Sequence, residues 1–375
     1  MALSPTAVAD ASRYFDSWLM FRRRVERTPG VQAAILLGDA VVLDTAHGLA
    51  DVESATALRT SHLFRIASHS KTFTATAIMQ LVEQGAVRLD DTIGAWVAFT
   101  SGTEIASVTI RELLAHGGGL VRDGADGDFW QLSRPFLDLE GLEAATEHGA
   151  AIVPRNERFK YSNIGYSLLG EVVATASGTP YNRYVVDNVV TRVGLTHTGP
   201  EYEPRRAGEY ATGYSSLGYA ERRLSIEHVD TAAMSSATGF YSTASDVVRY
   251  ASAHFFGDDR LVSDDSKRIM QRTEWKVEGT DTSYGLGFAI ATIGGRRLLG
   301  HGGGYPGHIT RTYFDPVDRF AVSVLTNAID GPATAMAMAA VRLVDLANSN
   351  SNSNSSARAD GNVNLTRFRE RFANL

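Results

Sequence analysis

The chain has no cysteine, which excludes disulfides, thiolate metal sites and a cysteine nucleophile. Lysine is nearly as scarce: Lys71, Lys160, Lys267 and Lys276 stand among far more numerous arginines. A formal net charge of −6 leaves no basic surplus, so nucleic acid and anionic membrane surfaces are not expected as partners. The longest basic run, Arg22-Arg23-Arg24, lies in an amphipathic stretch and reads as a solvated helix face. No run approaches the ~20 apolar residues of a membrane span. The start, "MALSPTAVADASRYF", lacks the charged beginning and apolar centre of a secretory signal. A soluble cytoplasmic protein is the expectation. No H-E-x-x-H occurs and the ten histidines are scattered without metal spacing, so neither a metal nor a cofactor is expected.

What is present suits a globular enzyme: 375 residues, 44% of them hydrophobic, give ample core volume. Residues 12–27 read as an amphipathic helix. "GVQAAILLGDAVVLDTAHG" is two apolar runs meeting at Gly38-Asp39, the pattern of a hairpin. Toward the other end, "LGFAIATIGGRRLLGHGGG" and "ITRTYFDPVDRFAVSVLTN" read as strands, the latter turning at residues 315–318, and "PATAMAMAAVRLVDLA" reads as a closing helix. Between these, "TATAIMQLVEQG", "TIRELLAHG", "IGYSLLGEVVATASG", "TPYNRYVVDNVV" and "STASDVVRYASAHF" carry helical periodicity. The pattern predicts an α/β (α+β) fold. One antiparallel sheet, flanked by helices and completed by both ends of the chain, stands beside a mostly helical lobe, with a site in the cleft between them. Residues 1–347 form the expected catalytic domain, with an α/β lobe of about 1–68 and 284–347 and a helical lobe of about 69–283. Residues 348–363, rich in Asn and Ser, read as a low-complexity linker, and 364–375 as a tail.

Three motifs carry chemistry. In "FRIASHSKTFTATAIMQ", Lys71 follows Ser68 by three residues, so on a helix the two side chains share a face. A serine at a helix N-terminus also meets free backbone N–H groups that favour negative charge on its oxygen. Ser70 has Phe73 at the equivalent place and gains no partner. With thirty serines and four lysines, one accidental S-x-x-K has a probability of roughly a quarter to a third, so the motif alone is weak. The second motif is Tyr161-Ser162-Asn163. A tyrosine acts as a base only when its pKa falls well below ~10, and an asparagine can orient a carbonyl or hold a lysine. Taken alone, these residues also fit a capped helix start. The third is His301-Gly302-Gly303-Gly304, where glycines let a substrate approach the backbone and a free N–H could join that of Ser68 in an oxyanion hole. The same H-G-G-G string occurs at 116–119 and marks the oxyanion loop of α/β-hydrolase lipases, but no serine here has glycine at both −2 and +2. The lipase reading fails on that test.

The order S-x-x-K, Y-x-N, H-x-G resembles the serine β-lactamase/penicillin-binding protein superfamily, and within it the class C-like branch of family VIII esterases, D-aminopeptidases and related hydrolases. "FRIASHSKTFTATAIMQLVEQGAVRLDDTI", "GFYSTASDVVRYA", "YGLGF" and "GHGGGYPGHITRTYFDPVDRFAVSVLTN" extend the likeness over about residues 12–347. The resemblance implies that Ser68 is the acylated nucleophile, Lys71 its activating partner and Tyr161 the general base. It implies Asn163, His301 and Gly303 at the substrate, and the backbone N–H groups of Ser68 and Gly304 as the oxyanion hole. His301 stands where β-lactamases usually carry the lysine of K-T-G, and a histidine with a pKa of ~6.5 is mostly neutral at pH 7. This departure argues against efficient β-lactam hydrolysis, and "LLAHGGGL" in place of the more usual "LLTHTSGL" implies an altered cleft edge. The expectation is a serine hydrolase acting through an acyl-enzyme on small carboxylic esters. The alternatives are a D-aminopeptidase or D-amino-acid amidase, a weak β-lactamase, an acyltransferase and, in another class, a non-hydrolysing penicillin-binding sensor. His116 and His308 read as structural residues near the cleft, and His69 as pointing away from it.

Overall fold

The computed structural model describes residues 2–147, 149–218 and 220–357. Among them, helix α1 (Pro5–Val25) starts seven residues earlier than periodicity suggests. Ser4 caps it, its hydroxyl accepting from the Ala7 N–H, and Pro5 fits the first turn, where no N–H is needed. Strands β1 (Gly30–Leu37) and β2 (Ala40–Asp51) form the expected hairpin, with Gly38 supplying the positive φ of 60° that the turn requires. Strand β3 (Thr56–Ala57) adds an edge.

After a mostly helical stretch the chain returns as β4 (Trp275–Lys276), β5 (Ser283–Tyr284), β6 (Ala289–Ile293), β7 (Arg296–Tyr305), β8 (His308–Asp315) and β9 (Phe320–Thr326). The sheet order is β3-β2-β1-β9-β8-β7-β6-β5-β4, every pair antiparallel. Sheet pairing therefore reaches back to Trp275, further than the lobe boundary near 284. The β8–β9 turn forms at the expected place because the Asp315 carboxylate accepts from the Val317 and Asp318 N–H groups, at 2.9 and 3.0 Å.

β1 is buried on both faces, and its alternation divides two cores. Val31, Ala33 and Ile35 pack with α1 and the closing helix, whereas Ala34 and Leu36 join the larger core under the helical region. That closing helix runs Ala333–Ala357 and so continues into the segment expected to be a linker. Asn and Ser are only middling helix formers, but extending an established helix costs far less than nucleating one. Asn348 also has a tertiary role there, its Oδ1 accepting from the Ser4 N–H at 2.8 Å. The remainder of the expected linker and the tail, 358–375, lie outside the described residues.

Three helices of the middle matter for the site. α2 (Ser70–Glu83) is buried on every side from Ser70 to Leu81, and its threonines satisfy their hydroxyls inward, as where Thr74 donates to the Ser236 carbonyl at 2.6 Å. α3 (Asn163–Ser177) begins at the Ser162 cap and ends at Gly178. α4 (Ala244–Ser252) is capped by Thr243 and packs on β1 and β9.

Candidate active site

Between Leu63 and Leu81 every residue is buried except Ser68. It sits in a single 3-10 turn, Ala67–His69, that runs directly into α2. Ala67 holds a left-handed φ of 48°, a conformation costing an alanine roughly 1–2 kcal/mol. Hydrogen bonds keep it there: Ser70 Oγ donates to the Ala67 carbonyl at 2.6 Å and accepts from the Phe240 N–H at 3.0 Å, while the Ile66 N–H donates to the Phe240 carbonyl. Ser70 is thus consumed in building the turn, and Ser68 is the serine left open. His69 points away as expected, its ring bonded to the Ile66 carbonyl and the Thr312 hydroxyl.

Lys71 is fully buried, and its amine meets three oxygens: Asn163 Oδ1 at 2.6 Å, the Ala237 carbonyl at 2.9 Å and Ser68 Oγ at 3.4 Å. The first two can only accept. A neutral amine gives its two hydrogens to them and turns its lone pair to the serine. Burial drives the Lys71 pKa well below its ordinary value; the Asp123 charge opposes that shift, and Arg122 adds to it. Tyr161 shifts the other way. Burial raises its phenol pKa, against a hydrogen bond with Ser68 and the Arg122 charge. The low tyrosine pKa on which a general-base role depends is therefore not what its surroundings favour. Its ring lies 4.7 Å from the Lys71 amine and 4.3 Å from the ring of buried His116.

Asn163 opens α3, and its amide orientation is forced: Nδ2 donates to Asp123 Oδ1 at 2.6 Å, leaving Oδ1 for Lys71. His301 is buried too. Its Nδ1 lies 2.6 Å from the Gly302 carbonyl, which can only accept, so the proton is on Nδ1, and Nε2 accepts from the Tyr284 hydroxyl at 2.9 Å. Burial, then His69 and Lys71, push its pKa well below the usual value. The ring is neutral, with both nitrogens engaged inside the protein. Gly303 has a packing role: a Cβ there would overlap the Ile66 carbonyl oxygen and the Thr310 hydroxyl. Its absence lets β7 lie against the Ser68 turn, with exposed Gly304 next along the strand.

The structure thus gathers Ser68, Lys71, Tyr161 and Asn163 around one amine and draws the β7 glycines alongside. Sequence reasoning missed Asp123, although "LLAHGGGL" just before it had stood out, and Tyr284, which lies within the "YGLGF" stretch already singled out.

The fold is β-lactamase/transpeptidase-like, and the protein belongs to the Beta-lactamase family, whose model matches residues 19–346. Penicillin-binding protein 4* of Bacillus subtilis is 28% identical over 287 residues, covering 73% of this chain and 62% of that protein. The chain thus spans less than two thirds of that relative's length. The octameric penicillin-binding protein homologue from Pyrococcus abyssi superposes with a TM-score of 0.80 at 25% identity, covering 88% of this chain and 77% of that one. The D-amino acid amidase from Ochrobactrum anthropi SV3 gives 0.77 at 23% identity, covering 90% and 99%. Among the described residues no helix is long and apolar enough to cross a membrane.

Proposed function

We propose that Ser68 attacks carbonyl carbon to form an acyl-enzyme, and that small carboxylic esters are the substrates. The setting of Lys71 carries this reading: a buried amine with two carbonyl acceptors and, 3.4 Å away, the Ser68 hydroxyl, toward which the neutral amine would turn its lone pair. The Ser68 proton passes to Lys71 as the Oγ–C bond forms, and the oxyanion takes the Ser68 and Gly304 N–H groups. On collapse the C–O bond to the alcohol breaks. Tyr161, still protonated, gives its proton to the leaving oxygen and regains one from Lys71. Water then repeats the attack on the acyl carbon, its proton taken up by the same pair and returned to Ser68 Oγ as the acid leaves.

Neutral, engaged His301 supports an ester over a penicillin-type substrate, because it offers no cation for a carboxylate at the K-T-G position. A D-amino-acid amide is the second reading, favoured by the likeness to the Ochrobactrum anthropi amidase over nearly all of that chain. A panel of p-nitrophenyl acetate, D- and L-phenylalanine amides and nitrocefin, with mass spectrometry after a fluorophosphonate, tests the proposal. Ester turnover at least tenfold above amide and nitrocefin turnover is expected, with loss of turnover and of the adduct in Ser68→Ala. Full activity in Ser68→Ala would refute it, and stable adducts without turnover would favour the sensor.

A further inference from the structure

The charged pair Arg122–Asp123 lies beside the site without a part in the chemistry above. Asp123 is nearly buried, its side chain 13% exposed, while that of Arg122 is 62% exposed. One carboxylate oxygen takes the Asn163 amide at 2.6 Å and the other lies 3.1 Å from Arg122 Nε. A carboxylate near a helix start ordinarily serves as a cap. Here that work is already done, since Ser162 caps α3 and the Asn163 and Ile164 N–H groups go to the Arg122 carbonyl. The Asp123 carboxylate is instead shared between exposed Arg122 and the Asn163 side chain, whose other end holds the Lys71 amine. We infer that Asp123 is a positioning residue for the nucleophile's base, acting through a line of contacts from Ser68 Oγ through Lys71 and Asn163 to Asp123.

The inference rests on the assignment of Lys71 as that base. Two effects follow from the line. The carboxylate fixes which way the Asn163 amide points, because a reversed amide would set its N–H₂ against Lys71 and its oxygen against Asp123. It also supplies the carboxylate charge acting on the amine. Arg122 opposes that charge from the same loop. The Tyr161 and Tyr166 rings, at 4.7 and 5.5 Å, add weak attraction for a cation. His116 and His301, whose pKa values lie well below the usual one, are neutral near pH 7 and add no charge there. Asp123 therefore keeps the base protonated to a higher pH than burial alone would.

Asp123→Asn keeps an oxygen for the Asn163 N–H and removes the charge, together with the contact to exposed Arg122. The pH profile of kcat/KM for p-nitrophenyl acetate should keep its plateau within about threefold, while its acid limb moves about one pH unit lower. Asp123→Ala should show the same displacement with a plateau at least tenfold lower, because the amide is released. With only four lysines in the chain, the ¹³Cε resonance of Lys71, assigned by its loss in Lys71→Arg, reports the same titration without turnover. An acid limb and a Lys71 resonance that both stay put in folded Asp123→Asn overturn the inference. If Ser68→Ala kept its activity, the functional reading would fall, but the resonance would still decide whether Asp123 governs Lys71.

Discussion

Ser68 and Ser70 differ by one hydrogen-bond inventory. Ser70 Oγ holds the Ala67 carbonyl and the Phe240 N–H in place, so Ser70→Ala leaves the buried Phe240 N–H unpaired and the Ala67 carbonyl with only the backbone N–H of residue 70. The expected cost is about 2 kcal/mol, read as a lower urea midpoint with an unchanged slope, and turnover should fall without vanishing. Ser68→Ala should do the reverse, abolishing turnover at unchanged stability. Equal stability losses in both would contradict the division of labour between them. Lys71 was legible at this scale because three-residue spacing on a helix is a local fact. Asp123 was not, because its meaning depends on Asn163, forty residues on, and no local pattern says which carboxylate a fold will bring to an amide.

Among the elements, β7 packs its backbone against Ile66, just before the Ser68 turn, with no room for a Cβ at Gly303. Gly303→Ala should force that strand away from Ile66 and cost about 1–3 kcal/mol as overpacking. Turnover should fall at least a hundredfold while the far-ultraviolet circular dichroism spectrum stays native. Activity within threefold of the parent would show that the close approach does not matter. Hairpins and helix centres were readable from alternation and period, as at Gly38 and along α2. Boundaries were less so. The Ser4 cap set the start of α1, and a helix already formed carried the closing segment past the onset of the Asn and Ser run. Composition describes what a segment would do alone, and both ends were decided by neighbours.

For the whole molecule, buried neutral histidines dictate the response to acid. The folded pKa is about 4 for His69 and about 3 for His254, both lowered chiefly by burial. Between those values and the ordinary 6.5, the unfolded chain binds more protons than the folded one, so stability rises with pH across that window. Acidification from pH 6.5 toward 4 should therefore erode stability, by at most about 1.4 kcal/mol per pH unit for each such histidine. Urea midpoints at pH 7, 6 and 5 test this, with a decline expected below 6.5 and a shallower one in His69→Gln. A midpoint constant down to pH 5 would contradict burial in the neutral form.

The pairing of β1 with β9, Val31 opposite Thr326, bears on the order of synthesis. A ribosome releases the β1–β2 hairpin and the Ser68 turn well over two hundred residues before β7, which closes against that turn, and β9, which joins the halves of the sheet. Contacts this distant along the chain form late and slowly. Until then the proposed nucleophile lacks the strand that would supply part of its oxyanion hole. The proposed hydrolytic site is therefore unfinished until β7 and β9 have emerged.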